Sequence, residues 1–446
     1  MVSVTTPDVA PDPRSESHKY SLAYRYYVLA ILFIAYILNA LDRGIIATLL
    51  EPIRHEFNVN DTQLGLLGGI AFALFYSILG IPIAALADRS VRRNVLSAAV
   101  FLWSGMTAVC GLAANFSLLL LARIGTAVGE AGGTPPSHSL IADYFASKKR
   151  AAAMSIYATA IPVGMMMGSL LGGHGSEYLG WRLTFIVAGI PGLLLAPIIY
   201  LTIKEPPRGM SDEYLARMTD KPSILEVFKF LWQRRAFRYL CMACAFHAFV
   251  NYGVGTFNPP FLMRSHGLTA GQAGNVAALV LAWGVLGTFF GGFLADRLSN
   301  RRCDARWYVW FPGILILVEV PFQFLAYLSP SMSVVVPAFV VAGILGASYY
   351  GPAFAMIQAL ASIRMRAVAA SVFLFIQTLI GLGLGPLFIG VVSDLLHPMT
   401  GEESLRYSII VVALFNVISA VFYQLSSRSL REDLETTRRY DEEQAG

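Results

Sequence analysis

Apolar runs of about 20 residues or more, the length that crosses a bilayer as a helix, make up most of this chain of 446 residues. The composition agrees with a membrane location, because 56% of the residues are hydrophobic and only 14% are charged, against about 25% charged in a soluble domain. So few charged side chains cannot cover the surface of a soluble core of this size. The sequence therefore predicts a membrane protein with several spans.

The predicted spans number twelve, with one long polar stretch in the middle of the chain. They lie near residues 24–50, 63–87, 94–113, 116–141, 151–174, 181–203, 239–263, 270–295, 307–328, 333–361, 367–393 and 407–425. This pattern predicts an all-α membrane protein with twelve transmembrane helices. The first run is too long for the core of a signal peptide and lacks a small-residue cleavage site, so we expect it to be retained.

The basic residues are distributed unevenly between the two sides of the membrane. With a cytoplasmic N-terminus, 27 of the 33 Lys and Arg residues fall in cytoplasmic segments, four fall in outside loops, and two, Arg43 and Arg123, fall within spans. Basic loops stay on the cytoplasmic side, so both termini are expected there. The same bias explains the net charge of +5 without a nucleic-acid partner.

Two motifs occur once in each half of the chain. Asp88-Arg89 follows span 2 and Asp296-Arg297 follows span 8, 208 residues later. Arg150 precedes span 5, and a similar segment beginning 216 residues later precedes span 11. Parallel repeats of this kind are typical of two-bundle transporters. The predicted organisation is a tail (1–22), a six-helix bundle (23–203), a cytoplasmic linker (204–238), a second six-helix bundle (239–427) and a tail (428–446).

The two Asp-Arg loops resemble the loop signature of the major facilitator superfamily, although the glycine that follows Asp-Arg in that signature is absent from both. Further segments of the first half resemble the Spinster family of lipid and sphingolipid carriers: Leu41–Arg43, Gly129–Ala131, Ile141–Phe145, Ala160–Gly164, Trp181–Arg182 and Glu205–Gly209. The second half resembles only the superfamily. The resemblance implies that spans 1, 4, 7 and 10 line a central cavity.

Away from the span ends, four charged residues lie inside predicted spans of the first half, where each costs at least about 2.5 to 3.5 kcal/mol on insertion scales. Asp42 and Arg43 are on span 1, and Arg123 and Glu130 are on span 4. Arg123 and Glu130 are two helical turns apart and therefore share one face, about 10.5 Å from each other. Asp42 and Arg123 reach similar depth. We predict that the four residues form one network, with a direct contact between Asp42 and Arg123.

This quartet suggests proton coupling. Its net charge is zero when all four groups are ionised and +1 when one carboxylate is protonated. A low dielectric favours the neutral carboxyl, whereas a nearby guanidinium favours the carboxylate. We expect Glu130 to be the titrating group, because it is deeper and further from its arginine, and Asp42 to be the second choice. Arg43 and Arg123 are expected to bind the substrate headgroup. A static cluster that joins two helices is the alternative.

The second half has a different cavity wall, with no carboxylate or guanidinium inside spans 7 and 10. Its polar and aromatic candidates are His247, Asn251, Tyr252, Tyr349, Tyr350 and Gln358. One charged wall and one aromatic wall suit an amphipathic ligand. His247 is a candidate second proton site, against the alternative of a neutral histidine hydrogen-bonded between helices. For Glu319, in span 9, we expect a protonated or locally paired carboxyl.

The repeated loop motifs are candidates for an inner gate. The residues are Asp88, Arg89, Arg150, Asp296 and Arg297, and charged hydrogen bonds between neighbouring helix ends would form a latch there. The alternative is a solvated topology signal, since the same arginines satisfy the orientation rule in any case.

The sequence thus predicts a proton-coupled secondary transporter that works by alternating access, with a lysolipid or sphingolipid-like substrate. Transport of organic acids or amphipathic drugs is the alternative, and a lipid enzyme or a receptor without transport activity is a more distant one. We expect no cofactor other than the proton as coupling ion, and no metal. The predicted setting is the cell membrane, specifically a bacterial inner membrane, with the chain spanning the bilayer as a monomer.

Overall fold

The computed structural model of the protein describes residues 20–210 and 224–445, which form helices and connecting turns with no β-strand in these two ranges. The first half contains α1 (Leu22–Phe57), α2 (Asp61–Gly65), α3 (Ala71–Arg89), α4 (Arg92–Cys110), α5 (Phe116–Ala131), α6 (Thr134–Tyr144), α7 (Ser147–Ala158) and α8 (Ala160–Thr202). A π-helical turn, Leu66–Ile70, joins α2 to α3.

The second half follows a short helix in the linker, α9 (Ile224–Gln233). Its helices are α10 (Arg235–His266), α11 (Ala270–Arg302), α12 (Trp307–Leu328), α13 (Met332–Ala347), α14 (Tyr350–Ala359), α15 (Arg366–Ile376), α16 (Gly385–Thr400), α17 (Ser404–Ala413) and α18 (Phe415–Ala445). A π-helical segment, Gln377–Leu384, joins α15 to α16.

Helix covers each of the twelve predicted runs. Eight helical segments of the described residues are long and apolar enough to cross a membrane by length and composition. Two of them, Lys149–Thr202 and Val368–Glu443, each contain two predicted spans. Inside α8 the chain folds back at Gly180, whose φ of 80° leaves the helical region, a conformation that glycine adopts without a steric penalty.

The predicted ends of the bundles differ from the observed helix ends. The tail predicted from residue 428 continues α18, because Leu430 is fully buried and Asp433 accepts a hydrogen bond from the backbone N–H of Ala236 at 2.6 Å. The linker contains α9, and α10 begins at Arg235 rather than at residue 239. Most of the predicted N-terminal tail and the middle of the linker, residues 1–19 and 211–223, lie outside the described residues.

Glycines let α1 and α8 pack backbone to backbone in the first half. A Cβ on Gly168 would lie 2.3 Å from the carbonyl oxygen of Leu41, and a Cβ on Gly164 would lie 2.4 Å from that of Ile37. Small residues allow such close approach between membrane helices. This contact fixes the position of α1, which carries Asp42 and Arg43.

Gly168→Ala is therefore expected to destabilise the protein by about 3 kcal/mol, at the upper end of overpacking costs, because the added methyl overlaps a rigid carbonyl. Thermal denaturation in detergent measures the change. Gly80→Ala is the matched control: nothing lies within 4 Å of a Cβ there, and helix propensity predicts a gain of about 0.5–1 kcal/mol. Equal stability of the two variants would contradict the packing argument.

The two halves meet at one end of the molecule, which we call the closed end. There, α8 packs against α11, where a Cβ on Gly173 would lie 2.5 Å from the carbonyl oxygen of Ala270. His174 Nε2 lies 2.9 Å from Asn275 Oδ1. The opposite end, which carries Tyr20 and the C-terminal end of α18, is called the terminal end.

Candidate functional site

Asp42 on α1 and Arg123 on α5 form a buried ion pair. Both residues are 2% exposed, and Arg123 Nη1 lies 2.5 Å from Asp42 Oδ2. The Thr107 hydroxyl donates to the other carboxylate oxygen at 2.7 Å. Arg123 Nε has no hydrogen-bond partner. The direct contact predicted between Asp42 and Arg123 is thus present.

Arg43 and Glu130 form a second ion pair, with Arg43 Nε 2.8 Å from Glu130 Oε2. The side chain of Glu130 is fully buried, whereas that of Arg43 is 28% exposed. Glu130 Oε1 has no hydrogen-bond partner. Glu130 was expected to lie further from its arginine than Asp42 does; it lies in direct contact with one, at 2.8 Å against 2.5 Å for Asp42. Successive helical residues point about 100° apart, so Arg43 turns to Glu130 while Asp42 turns to Arg123.

An aromatic ring lies beside both pairs. The guanidinium carbons of Arg43 and Arg123 lie 5.1 Å and 5.5 Å from the centroid of the Phe72 ring. Arg43 also lies 4.8 Å from the ring of Tyr76, which stacks on Phe72. The quartet is therefore two hydrogen-bonded ion pairs beside one ring, and the pairs are coupled, since Glu130 also interacts electrostatically with Asp42 and Arg123. Sequence analysis missed Phe72 and Tyr76, although their spacing of four residues places them on one helix face.

Arg43 and Tyr76 of the first half lie near Tyr252 and Tyr350 of the second half, and we call the region between them the central cavity. Tyr252 interacts electrostatically with Arg43 and Tyr76, and Tyr350 interacts with Tyr252. Tyr252 and Tyr350 are 40% and 42% exposed. The cavity thus has a cationic wall from the first half and a phenolic wall from the second.

Two residues predicted to line this cavity are buried instead. His247 is fully buried, because its position on α10 turns the ring toward Gly346 and Asn416. Tyr349 is 8% exposed, and its ring packs edge-on against that of His247. The cavity placement of these two residues is therefore wrong, and the His247 ring makes its hydrogen-bond contacts between helices. Asn251 and Gln358 are half-buried.

The predicted gate residues make contacts within one half rather than between halves. Asp88 lies 4.0 Å from Arg208, and Arg150 donates to the carbonyl of Ala142 at 2.8 Å. Asp296 accepts from the Tyr308 hydroxyl at 2.6 Å. Two further members of the set, Arg89 and Arg297, are exposed. The latch stays a prediction, because these residues lie toward the terminal end, whereas the halves meet at the closed end.

An ion cluster joins the halves at the closed end. Arg264 on α10 lies 2.7 Å from Glu51 Oε2 and 2.8 Å from Asp61 Oδ1, and all three side chains are at most 6% exposed. Ser393 donates to Asp61 at 2.6 Å. We call Glu51, Asp61 and Arg264 the closed-end clamp. Sequence analysis counted Arg264 only as a loop charge, since nothing in the sequence links it to carboxylates more than 200 residues away.

The family described as Major Facilitator Superfamily matches residues 32–302 and 240–441. The chain belongs to this superfamily. It is therefore a transporter rather than an enzyme, as the sequence predicted. The all-helical two-bundle fold is that of the superfamily, and the multi-pass membrane location follows from it.

Within the superfamily the chain is of the Spinster type. A crystal structure of a bacterial homologue of the human lysosomal transporter Spinster, inward-facing and unoccupied, matches with 37% identity and a TM-score of 0.87 over 93% of this chain and 99% of that one. An efflux pump of the superfamily from Mycolicibacterium smegmatis is 32% identical over 91% of this chain and 93% of its own. The sphingosine-1-phosphate transporter SPNS2 of Danio rerio is 30% identical over 53% of this chain and 47% of its own length.

Proposed function

We propose that the protein is a proton-coupled secondary transporter that moves an amphipathic, anionic, lipid-like substrate, such as a lysolipid or a sphingolipid, by alternating access. One observation carries this proposal: Arg43, partly exposed in the central cavity, is paired with a fully buried glutamate. The proton is the proposed coupling ion.

Arg43 is placed to bind an anionic headgroup. Arg43 Nε donates to Glu130. The two Nη groups of Arg43 therefore remain for a bidentate contact with phosphate or carboxylate. The exposed Tyr252 and Tyr350 rings on the opposite wall offer apolar surface for the body of the ligand and hydroxyls for its polar part. A cavity with these two walls recognises a molecule that has an ionic head and an apolar body.

Glu130 is placed to link the proton to the substrate. When Glu130 is ionised, it neutralises Arg43 at 2.8 Å and competes with an anionic headgroup for the same guanidinium. Protonation of Glu130 releases Arg43 to the headgroup. Because linkage is reciprocal, headgroup binding then favours proton binding, as coupled transport requires.

The conformation supports alternating access. With the terminal end on the cytoplasmic side, as the distribution of basic residues predicts, the clamp and the contact between α8 and α11 close the outer face. The resemblance to an inward-facing homologue agrees with this orientation. The sphingosine-1-phosphate transporter among the relatives supports a lipid substrate.

Glu130→Gln tests the coupling. A coupling free energy of about 1–3 kcal/mol corresponds to about 5- to 150-fold in equilibrium, so we expect a pH gradient to lose most of its effect on transport. Uptake of a fluorescent lysophosphatidate into proteoliposomes, with and without the gradient, measures it.

Two comparisons make this test specific. Glu432 is exposed on α18, so Glu432→Gln is the matched control and should behave as wild type. Sugar acids should compete poorly with lysophosphatidate, since they offer no apolar body to the tyrosine wall. A pH gradient that drives transport by Glu130→Gln as strongly as transport by the wild type would overturn the assignment of Glu130.

Export of amphipathic drugs is the second candidate function, and the mycobacterial efflux pump among the relatives favours it. It would use the same cavity. Competition between a cationic drug dye and lysophosphatidate distinguishes drug export from lipid transport. The exposed Arg43 should reject a cation and attract the anion.

A further inference from the structure

A buried polar network lies in the second half, outside the central cavity. Its carboxylate is Glu319 on α12, which is 2% exposed. Glu319 Oε1 accepts a hydrogen bond from Gln323 Nε2 at 2.6 Å, and Oε2 has no hydrogen-bond partner. The ion-pair contact that the described residues give it is His247 Nδ1 on α10, at 4.0 Å. A buried charge needs a partner of this kind.

The hydrogen bonds of the network run in one direction. Gln323 donates to Glu319, so its amide oxygen is left to accept from Asn416 Nδ2, at 3.3 Å. Asn416 Oδ1 is then left facing His247 Nδ1, at 2.8 Å. An amide oxygen only accepts, so this order makes Nδ1 of His247 a donor that carries a proton.

The other ring nitrogen also faces an acceptor. His247 Nε2 lies 2.8 Å from the carbonyl oxygen of Gly346, in the last turn of α13, where backbone carbonyls lack a partner in the helix. A proton on each nitrogen, with the neighbouring Asn251 amide turned so that its oxygen faces Nε2, makes the ring an imidazolium with the Glu319 carboxylate as its counter-charge. We infer that His247 and Glu319 together hold one exchangeable proton and form a second proton-binding site of the transporter.

Asn251 connects this pair to the central cavity. Its Nδ2 lies 2.9 Å from the same Nε2 of His247, and it is half-buried beside the exposed Tyr252. With a neutral ring the Asn251 amide donates to Nε2. With a protonated ring the amide turns its oxygen to Nε2 and its NH2 group away. The protonation state of the pair thus changes what Asn251 presents near the substrate.

The other titratable groups packed around His247 and Glu319 make polar contacts of their own. On α12, Tyr327 donates to Asn258 at 2.6 Å. Between α13 and α14, the Tyr349 ring meets the His247 ring edge-on at 4.6 Å, and its hydroxyl accepts from Gln377. From α18, Tyr423 contacts Cys244 of α10 at 3.3 Å. Phenols and thiols are neutral at neutral pH by their reference values, about 8.5 to 10, so the shared proton is left to His247 and Glu319.

Magnetic resonance of protein labelled with ¹⁵N-histidine, in proteoliposomes at neutral pH, tests the occupancy of this site without any substrate. His247→Gln identifies the resonances. We expect two protonated ring nitrogens in the wild type and one in Glu319→Gln. Glu402→Gln, at an exposed carboxylate of the closed end, is the matched control and should match the wild type. A singly protonated ring in the wild type would overturn the inference, and this readout holds even where Glu319→Gln does not fold.

The coupling of this proton to transport rests on the proposed function, whereas its binding does not. The ratio of protons to lysophosphatidate, obtained from reversal potentials in proteoliposomes, should fall by one proton in Glu319→Gln while transport continues. An unchanged ratio would overturn the coupling of this second site. Wild-type transport that ignores the pH gradient would overturn the proposed function and leave the ¹⁵N result standing.

Discussion

Cross-linking of residues 174 and 275 should stop transport completely, and reduction should restore it. His174 on α8 and Asn275 on α11 belong to different halves and lie 2.9 Å apart between Nε2 and Oδ1. His174→Cys with Asn275→Cys, joined by a short bifunctional thiol reagent, would hold the closed end shut. A carrier that alternates must separate these helices in every cycle, so the loss should follow the cross-linked fraction. Uptake of lysophosphatidate before and after reduction measures the effect.

The structure indicates which native cysteines to replace and which cysteine pair serves as the control. Cys303 is exposed and should be replaced by Ser, whereas Cys110, Cys241 and Cys244 are buried and remain. The control pair is Glu56→Cys with Arg182→Cys, whose side chains meet at 2.6 Å within the first half. Its cross-link should leave transport intact. Full transport through a closed end that is covalently shut would exclude alternating access for this protein.

Asp42→Asn should destabilise the protein by about 3–5 kcal/mol, the range for breaking one partner of a buried pair. The substitution leaves the Arg123 guanidinium, 2% exposed, without a counter-charge in a site where its Nε already lacks a hydrogen-bond partner. The free energy of unfolding from SDS titration measures the change.

The double variant Asp42→Leu with Arg123→Met separates stability from function. Buried ion pairs are often replaced by apolar residues without loss, and the Thr107 hydroxyl keeps the carbonyl of Trp103, at 2.9 Å, as its acceptor. Compared with Asp42→Asn, the double variant should regain most of the free energy of unfolding. We expect it not to regain proton-coupled transport. A double variant as unstable as Asp42→Asn would show that the pair is not the source of the loss.

Depth in the membrane is the part of the site that the sequence predicted well. The length of each apolar run fixes how far a residue lies from the end of its helix, and this arithmetic placed Asp42 beside Arg123. Rotation about the helix axis is not fixed in the same way. Residues 42 and 43 were therefore assigned to one network, although they turn to different partners, and His247 was assigned to the cavity, although its ring points between helices.

The contacts between halves could not be predicted from local sequence. Arg264 meets its two carboxylates only because α1, α2 and α10 converge at the closed end. At the level of sequence, a charge near a helix end satisfies the topology rule with or without a partner. The Asp-Arg loops predicted two repeats, whereas the end at which the two halves touch depends on the conformation.

The glycine contact between α8 and α11 has a consequence for the idle carrier. A Cβ on Gly274 would lie 2.4 Å from the carbonyl oxygen of Ser169, so main chain meets main chain with no room for a file of water molecules. This part of the closed end is made of peptide groups, which do not titrate, whereas the closed-end clamp beside it contains two carboxylates. We expect this contact to keep ions out while no cargo is bound, so that the energy stored across the bilayer is not dissipated.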